Sequence, residues 1–299
     1  MKMTKLAIII VNYKREDLTI NLVEQELSKV SIAHKTIIVN NSATDRSNHT
    51  LCKELNAILV SDVNIQLGSD GDVFVVSSLD NLGFARGNNL GVMFAKKMFH
   101  PQYILFTNND IKLIGNRVVD GLIKKMENNS NIGIIGPRVV GMDGKCQSPY
   151  PYRSFWNRHV WIYWSSFFYT SKKKIEKFGL DYPEKAKEGF HYYVMGSFFM
   201  VRADDLYRCG MFDPNTFLYA EEVILSERMA AIGKGVYYAP FVEVIHEHGA
   251  TTSKYARNKV NDWQFNSECY YYKTYKNVCI AEIWVARLTR FLLKVIGKA

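Results

Sequence analysis

Three places in this chain gather side chains that could handle cations, phosphates or protons. An apolar run, YILF at 103–106, breaks at Thr107 into two amides and a carboxylate, Asn108-Asn109-Asp110. Asn and Asp close turns with their own side chains, and the same groups could equally receive a cation and phosphates. Further on, VEVIHEHGATTS sets His246 and His248 two residues apart. In an extended chain both point to one face while Glu247 points to the other. Between these lies an acidic pair, Glu221-Glu222, opening a helix expected to run to Ile232 and to stop at Gly233. Carboxylates in a first helical turn are favoured by the helix dipole whether or not they do chemistry.

The elements that must position these residues read as alternating strands and helices. LAIIIV (6–11) is a continuous apolar run ending at Asn12, as expected for a strand covered on both faces. A helical pattern over 15–28 follows, with Leu18, Leu22 and Val23 on one side. The segment KTIIVNNSATD repeats the design: a strand ending at Asn40-Asn41, a polar loop, then a helix from about Ser47. Further strands are expected at 73–78, 103–106 and 132–136, with a glycine-containing loop and helix, NLGFARGNNLG, before the fourth. This alternation predicts an α/β fold with a mostly parallel central sheet flanked by helices. Ligands of such sheets bind beyond the carboxyl ends of the strands, where Asn12, Asn40-Asn41 and Asn108-Asn109-Asp110 all fall.

The 299 residues, 47% of them hydrophobic, suffice for one large domain or a domain with an appendage. No apolar run reaches 18 residues, and the first residues lack a secretory cleavage pattern. Five scattered cysteines without a C-x-x-C pair suit a reducing compartment and argue against a disulfide framework or a zinc site. The net charge of +9 implies an acidic partner, such as a nucleotide or an anionic membrane surface.

Two segments bear on that partner. Residues 150–174 are dense in aromatic and basic side chains, which suits either a core element or a sugar-, lipid- or membrane-facing surface. In the tail, Trp284, Leu288, Phe291, Leu292 and Val295 recur at helical spacing beside a stripe of Arg287, Arg290, Lys294 and Lys298. From residue 251 onward there are nine basic residues against three acidic ones. Such a basic amphipathic helix can lie on an anionic membrane or pack on its own domain. The basic residues sit beside an apolar stripe rather than along a stacking platform, which argues against a nucleic-acid partner.

Taken in order, IIIVNYKR, IVNNSATD, NLGFARGNNLG, LFTNND, YAEEVILSER and VIHEHGATT resemble the motifs of family 2 glycosyltransferases, in the bacterial rhamnosyltransferase-like branch. The resemblance covers about residues 5–252. It implies a GT-A fold, a nucleoside-diphosphate sugar donor and transfer with inversion. A donor half at about 1–140, an acceptor half at about 141–252 and a basic helical extension at 253–299 would follow.

The resemblance also implies roles for residues. Asp110, with Asn108 at the first acidic position, stands where relatives carry an Asp-x-Asp-like metal motif, and His246 stands at a C-terminal histidine. Together they would hold Mn²⁺ or Mg²⁺, with His248 the weaker candidate. Asn12, Asn40, Arg86, Asn89, Asn108 and Asn109 would hold the nucleotide sugar, with Gly83 and Gly87 allowing close backbone approach. Asn40 replaces a usual Asp, and its amide can still both donate and accept. Glu222 takes the place of the usual base, with Glu221 orienting or contacting the acceptor.

The expected donor is dTDP-rhamnose or a UDP-sugar. The expected acceptor is a lipid-linked bacterial surface glycan, such as an O-antigen or capsule intermediate, met at the inner face of the cytoplasmic membrane. The rival readings are a nucleotide-sugar-binding protein that has lost its chemistry and, with less support, a nucleotidyltransferase. The latter lacks an early glycine-rich signature with a lysine.

Overall fold

The computed structural model describes residues 4–42, 44–60, 71–247 and 257–295. Its strands and helices alternate along the first half: β1 (Leu6–Asn12), α1 (Glu16–Asn21), β2 (His34–Asn40), α2 (Asp45–Leu55), β3 (Ile58–Val60), β4 (Val73–Ser77), α3 (Gly83–Phe99), β5 (Tyr103–Thr107), β6 (Ile111–Leu113), α4 (Val118–Glu127) and β7 (Ile132–Gly141). The second half is less regular. Three short helices, α5 (Ile162–Trp164), α6 (Ser171–Phe178) and α7 (Tyr182–Lys185), lead to β8 (Gly189–His191), β9 (Phe198–Arg202), α8 (Ala203–Arg208), α9 (Glu221–Ala231) and β10 (Gly235–His246). Two longer helices, α10 (Arg257–Lys276) and α11 (Ile280–Val295), follow.

All ten strands join one sheet in the order β3-β4-β2-β1-β5-β9-β7-β10-β6, with β8 alongside β10. The half from β3 to β5 is wholly parallel. Its strands are apolar on both faces because helices cover both. One core layer packs Leu51 of α2 and Leu122 and Ile123 of α4 against the sheet. The other packs Val92 and Ala95 of α3 with Leu206 and Leu225. This is the expected α/β architecture.

The structure departs from the sequence reading in the helix expected over 15–28. That stretch is α1 followed by a wider turn over Leu22–Glu26 and a tight turn over Leu27–Lys29. The buried Glu26 carboxylate there accepts from the Leu113 N–H at 2.7 Å, tying the distorted turn to β6. Residues 150–164 mostly turn inward. Phe155 and Val160 form a third apolar cluster with Ile224 of α9, Phe265 and Tyr272 of α10, and Ile283 and Ala286 of α11.

Candidate active site

Register explains why polar residues collect at one sheet edge. In β1 and β2 the last paired residues are Asn12 and Asn40, and Asn40 pairs in turn with Ser77 of β4. The β1–β5 register matches Ile10 with Thr107, so the chain after β5 emerges beside the same edge. Asn12 and Asn40 are both fully buried, and a buried amide must find internal partners. They find each other: Asn12 Nδ2 donates to Asn40 Oδ1 at 3.0 Å. The chain extends both ways. Asn109 Nδ2 donates to Thr19 Oγ1 at 3.0 Å, Thr19 Oγ1 donates to Asn12 Oδ1 at 2.9 Å, and Asn40 Nδ2 donates to Asn48 Oδ1 at 2.7 Å. This network stitches three strand ends into a rigid floor.

Above the floor is a cleft lined by Tyr13, Asn41, Asn81, Asn108, Asn109, Asp110, Ser197, Tyr219, Glu221, Glu222 and His246, with apolar walls from Phe84, Met195 and Phe217. Four of these lining residues carry buried polar atoms that have no hydrogen bond: Asn41 Oδ1, Asp110 Oδ1, Ser197 Oγ and Glu221 Oε1. Leaving such an atom unpaired costs about 1–3 kcal/mol. Four around one cleft are what a polar ligand would satisfy.

Asp110 and His246 are 136 residues apart in sequence and adjacent in space. Antiparallel pairing of β6 with β10 sets Ile111 against His246, and the Glu247 N–H donates to the Asp110 carbonyl at 2.9 Å. His246 Nε2 lies 3.3 Å from Asp110 Oδ1, off the line of a hydrogen bond. His246 Nδ1 is 3.0 Å from Gln147 Oε1, a contact that fixes the orientation of the ring with Nε2 toward Asp110. Two donor atoms about 2.1 Å from one hard cation and at right angles lie roughly 3 Å apart. The pair therefore fits as two ligands of a divalent cation. Among the described residues, no group of three or more His, Cys, Asp or Glu could hold a metal, so other ligands would come from diphosphate oxygens and water. His248 lies outside the described residues.

Glu221 and Glu222 open α9 on a strained entry. Tyr219 and Ala220 both adopt left-handed backbone conformations, at φ 72° and 67°, which non-glycine residues hold only at a cost. The turn delivers Glu221 to a buried position and Glu222 to a half-buried one. Burial raises both carboxyls above the ordinary range, Glu221 well above it, with the Glu222 charge adding to the effect on Glu221. One oxygen of Glu222 accepts from the Gly196 N–H at 3.2 Å. Position 196 has to be glycine for this, because a Cβ there would collide with the Glu222 carboxylate.

The pair makes a stability prediction. A carboxyl raised in the folded state stabilises fully below its unfolded value near 4.5, and that contribution is lost as pH rises through the folded value. Glu221→Gln removes the buried charge, so it is expected to flatten the loss of stability toward neutral and alkaline pH. Thermal melts across pH 4–8 check this, and identical wild-type and variant profiles would refute it.

No family model matches the chain. Rhamnosyltransferase WbbL of Escherichia coli (strain K12) is 28% identical over 167 residues, which is 55% of this chain and 60% of that protein. The N-acetylglucosaminyl-diphospho-decaprenol L-rhamnosyltransferase of Mycobacterium tuberculosis (strain CDC 1551 / Oshkosh) is 25% identical over 194 residues, 58% of each chain. A crystal structure of GalNAc-T7 with UDP, GalNAc and Mn²⁺ shares the fold with a TM-score of 0.55, at 13% identity over 82% of this chain and 44% of that one. The chain is similar in sequence to glycosyltransferases and shares the GT-A fold. Its matches span about 60% of the length of these curated relatives.

Set on the GT-A frame, the residues expected at the site divide into two groups. Asn108, Asn109, Asp110, Gly83, Glu221, Glu222 and His246 line the cleft together. Asn12, Asn40, Arg86 and Asn89 do not line it. Asn12 and Asn40 belong to the floor. Arg86 Nε donates to the Pro214 carbonyl at 2.8 Å. Asn89 grips the main chain of Phe212 at both its N–H and carbonyl, at 3.1 and 2.9 Å. Both residues thus brace the loop that leads to Phe217 and Tyr219. Gly83 has φ 75°, and a Cβ on it would collide with the Phe217 carbonyl, so that glycine lets the helix start press against the same loop.

Asn41, placed at the strand-end edge by the sequence but given no role there, and Asn81 and Ser197, not singled out, also line the cleft. Asn41 holds the Gly83 carbonyl through Nδ2 at 2.9 Å while Oδ1 stays unpaired, and Asn81 accepts from the Gly83 N–H at 3.0 Å. Ser197 arrives on the turn into β9. Asn41 was readable in principle, since neighbouring residues leaving a strand point to opposite sides.

Proposed function

We propose that this chain is an inverting glycosyltransferase that moves a sugar from a nucleoside-diphosphate donor to a saccharide acceptor. One observation carries the reading: four buried polar atoms without a hydrogen bond converge on a cleft beyond the strand ends of a GT-A sheet. The likeness to two rhamnosyltransferases, one of them named for a diphospho-decaprenol compound, supports dTDP-rhamnose or a UDP-sugar as donor and a lipid-linked surface glycan as acceptor. Residues 1–140 would then serve the donor, 141–252 the acceptor, and 253–299 would form an extension.

In this mechanism the acceptor hydroxyl gives its proton to the free oxygen of Glu222 as it attacks the anomeric carbon. The bond from that carbon to the diphosphate oxygen breaks on the opposite face, giving inversion and a free nucleoside diphosphate. Glu222 has the right character for a base, because burial raises its affinity for a proton toward neutral pH. Glu221, whose carboxyl is raised further by the Glu222 charge, would contact the acceptor. Asp110 and His246 would hold a divalent cation, which when bound supplies positive charge to the departing diphosphate. Asn41, Asn81 and Ser197 would bind and orient the donor.

The reading is tested by calorimetry of the purified protein with UDP, dTDP, GDP and CDP, each with and without Mn²⁺. Selective, Mn²⁺-enhanced binding of UDP or dTDP is expected. Absence of binding to all four would overturn the donor-site reading. Binding that is never accompanied by sugar transfer would favour a nucleotide-sugar-binding protein, a reading that Asn108 at an acidic position keeps distinct.

A further inference from the structure

The last helix is apolar on the side where it meets water. α11 turns Ile283, Ala286, Thr289 and Leu293 inward, against the turn at Asn157–Trp161 and α10. At 100° per residue, Trp284, Leu288, Phe291 and Val295 fall on the opposite side, and they are 61%, 56%, 62% and 69% exposed. The apolar stripe visible in the sequence is therefore not the packing face. The packing face is a second apolar stripe, and the helix carries one on each side.

Arg287 and Lys294 run along an edge between the two stripes, both exposed, with the Arg287 guanidinium over the Trp284 ring at 5.3 Å. On the packed side of the helix, Trp156 donates to Glu282 in the first turn of α11, and its ring lies 6.4 Å from that of Trp161. Phe168 is 78% exposed just before α6, which presents Lys172, Lys173 and Lys177 to water. Four large apolar side chains exposed along one face of α11 form a stripe of the kind that a partner covers. No helix among the described residues is long and apolar enough to cross a membrane.

We propose that the outward face of α11 docks on an anionic lipid bilayer. Tryptophan and phenylalanine flanked by Arg and Lys match the chemistry of a bilayer interface, where apolar groups enter the acyl boundary and cations meet acidic headgroups. A second copy of the chain would bring the same basic edge, so the charge pattern favours lipid. The face is also joined to the cleft. Arg290 of α11 reaches Asp262 of α10 at 3.2 Å, Ser267 of α10 donates to the Leu218 carbonyl at 2.8 Å, and Trp263 packs on Phe217 at 4.9 Å. Phe217 and Leu218 line the cleft wall. Docking would hold that wall near the membrane surface, and the inference stands whatever chemistry the cleft performs.

The test is co-sedimentation of the whole chain with vesicles of phosphatidylcholine alone or mixed with phosphatidylglycerol. Binding to the anionic vesicles is expected, weakened by about 0.5 M salt. The double substitution Leu288→Glu with Phe291→Glu is expected to reduce it roughly ten-fold or more. Arg287→Glu with Lys294→Glu should do the same on anionic vesicles. Both pairs are exposed, so unchanged melting temperature and nucleotide binding would certify the variants as folded. Equal sedimentation of wild type and the Leu288/Phe291 variant would overturn the proposal, as would equal binding to neutral and anionic vesicles. A concentration-dependent dimer lost in that variant, without vesicle binding, would assign the face to a second copy instead.

Discussion

Glu222→Gln is expected to lower the rate of sugar transfer by roughly 10²- to 10⁴-fold, the usual contribution of a positioned general base, while donor affinity stays within about two-fold, since this loss belongs to the transition state alone. Glutamine suits the test because it changes so little else. Its amide oxygen can still accept from the Gly196 N–H, as the carboxylate does at 3.2 Å, and the pocket left by the missing Cβ at 196 still receives it. It cannot take a proton. The pH profile provides an independent readout. Burial raises the Glu222 carboxyl, so wild-type activity should climb with pH through a limb displaced above the ordinary carboxylate range and then level off. In the variant that limb should vanish along with most of the rate. Loss of donor affinity in parallel with rate would make Glu222 a binding residue and move the base elsewhere, with Glu221 the next candidate because its Oε1 is unpaired in the same cleft.

The sequence made the sheet legible where burial on both faces wrote a continuous apolar run. β1, β2 and β5 are such runs, and each ends near the predicted polar residue. It was less legible where pairing is antiparallel and late. β9, FFMVR, sits in the middle of the sheet between β5 and β7, yet nothing local distinguishes it from the aromatic segments around it. The candidate site divides along the same line. Asp110, Glu221, Glu222 and His246 carry ionisable groups at element ends, and a chemical reading of residue types reaches them. Arg86 and Asn89 carry plausible ligand chemistry too, but they spend it on the carbonyls of Pro214 and Phe212, a loop more than 120 residues away in the chain. Only the packing of that loop against α3 reveals this. Asn40 and Asn41 make the point most sharply. They are adjacent and identical, yet one closes the buried floor and the other lines the cleft.

Asp110→Ala is expected to reduce transfer by roughly 100-fold or more, through loss of the cation that offsets charge on the leaving diphosphate, and to abolish the Mn²⁺ enhancement of nucleotide binding. The size of the effect follows from the departure at Asn108. A site with two carboxylates keeps one after a single substitution, whereas here Asp110 is the acid of the Asn108-Asn109-Asp110 cluster. Removing it leaves the His246 imidazole and side-chain amides, a poor match for a hard cation that prefers anionic oxygen. The fold should tolerate the change, because the link from Glu247 to position 110 uses the main-chain carbonyl and the carboxylate oxygen facing His246 has no hydrogen bond to lose. Asp110→Asn preserves the shape and removes only the charge, so it should behave like the alanine variant if charge is what matters. His246→Ala should cost less than either, since it leaves the anionic oxygen ligand in place. Calorimetry with and without Mn²⁺ separates these cases from simple loss of donor binding. If Asp110→Ala retains both near-wild-type turnover and its Mn²⁺ enhancement, the cation is held elsewhere, and the Asp110–His246 contact serves only to join β6 to β10.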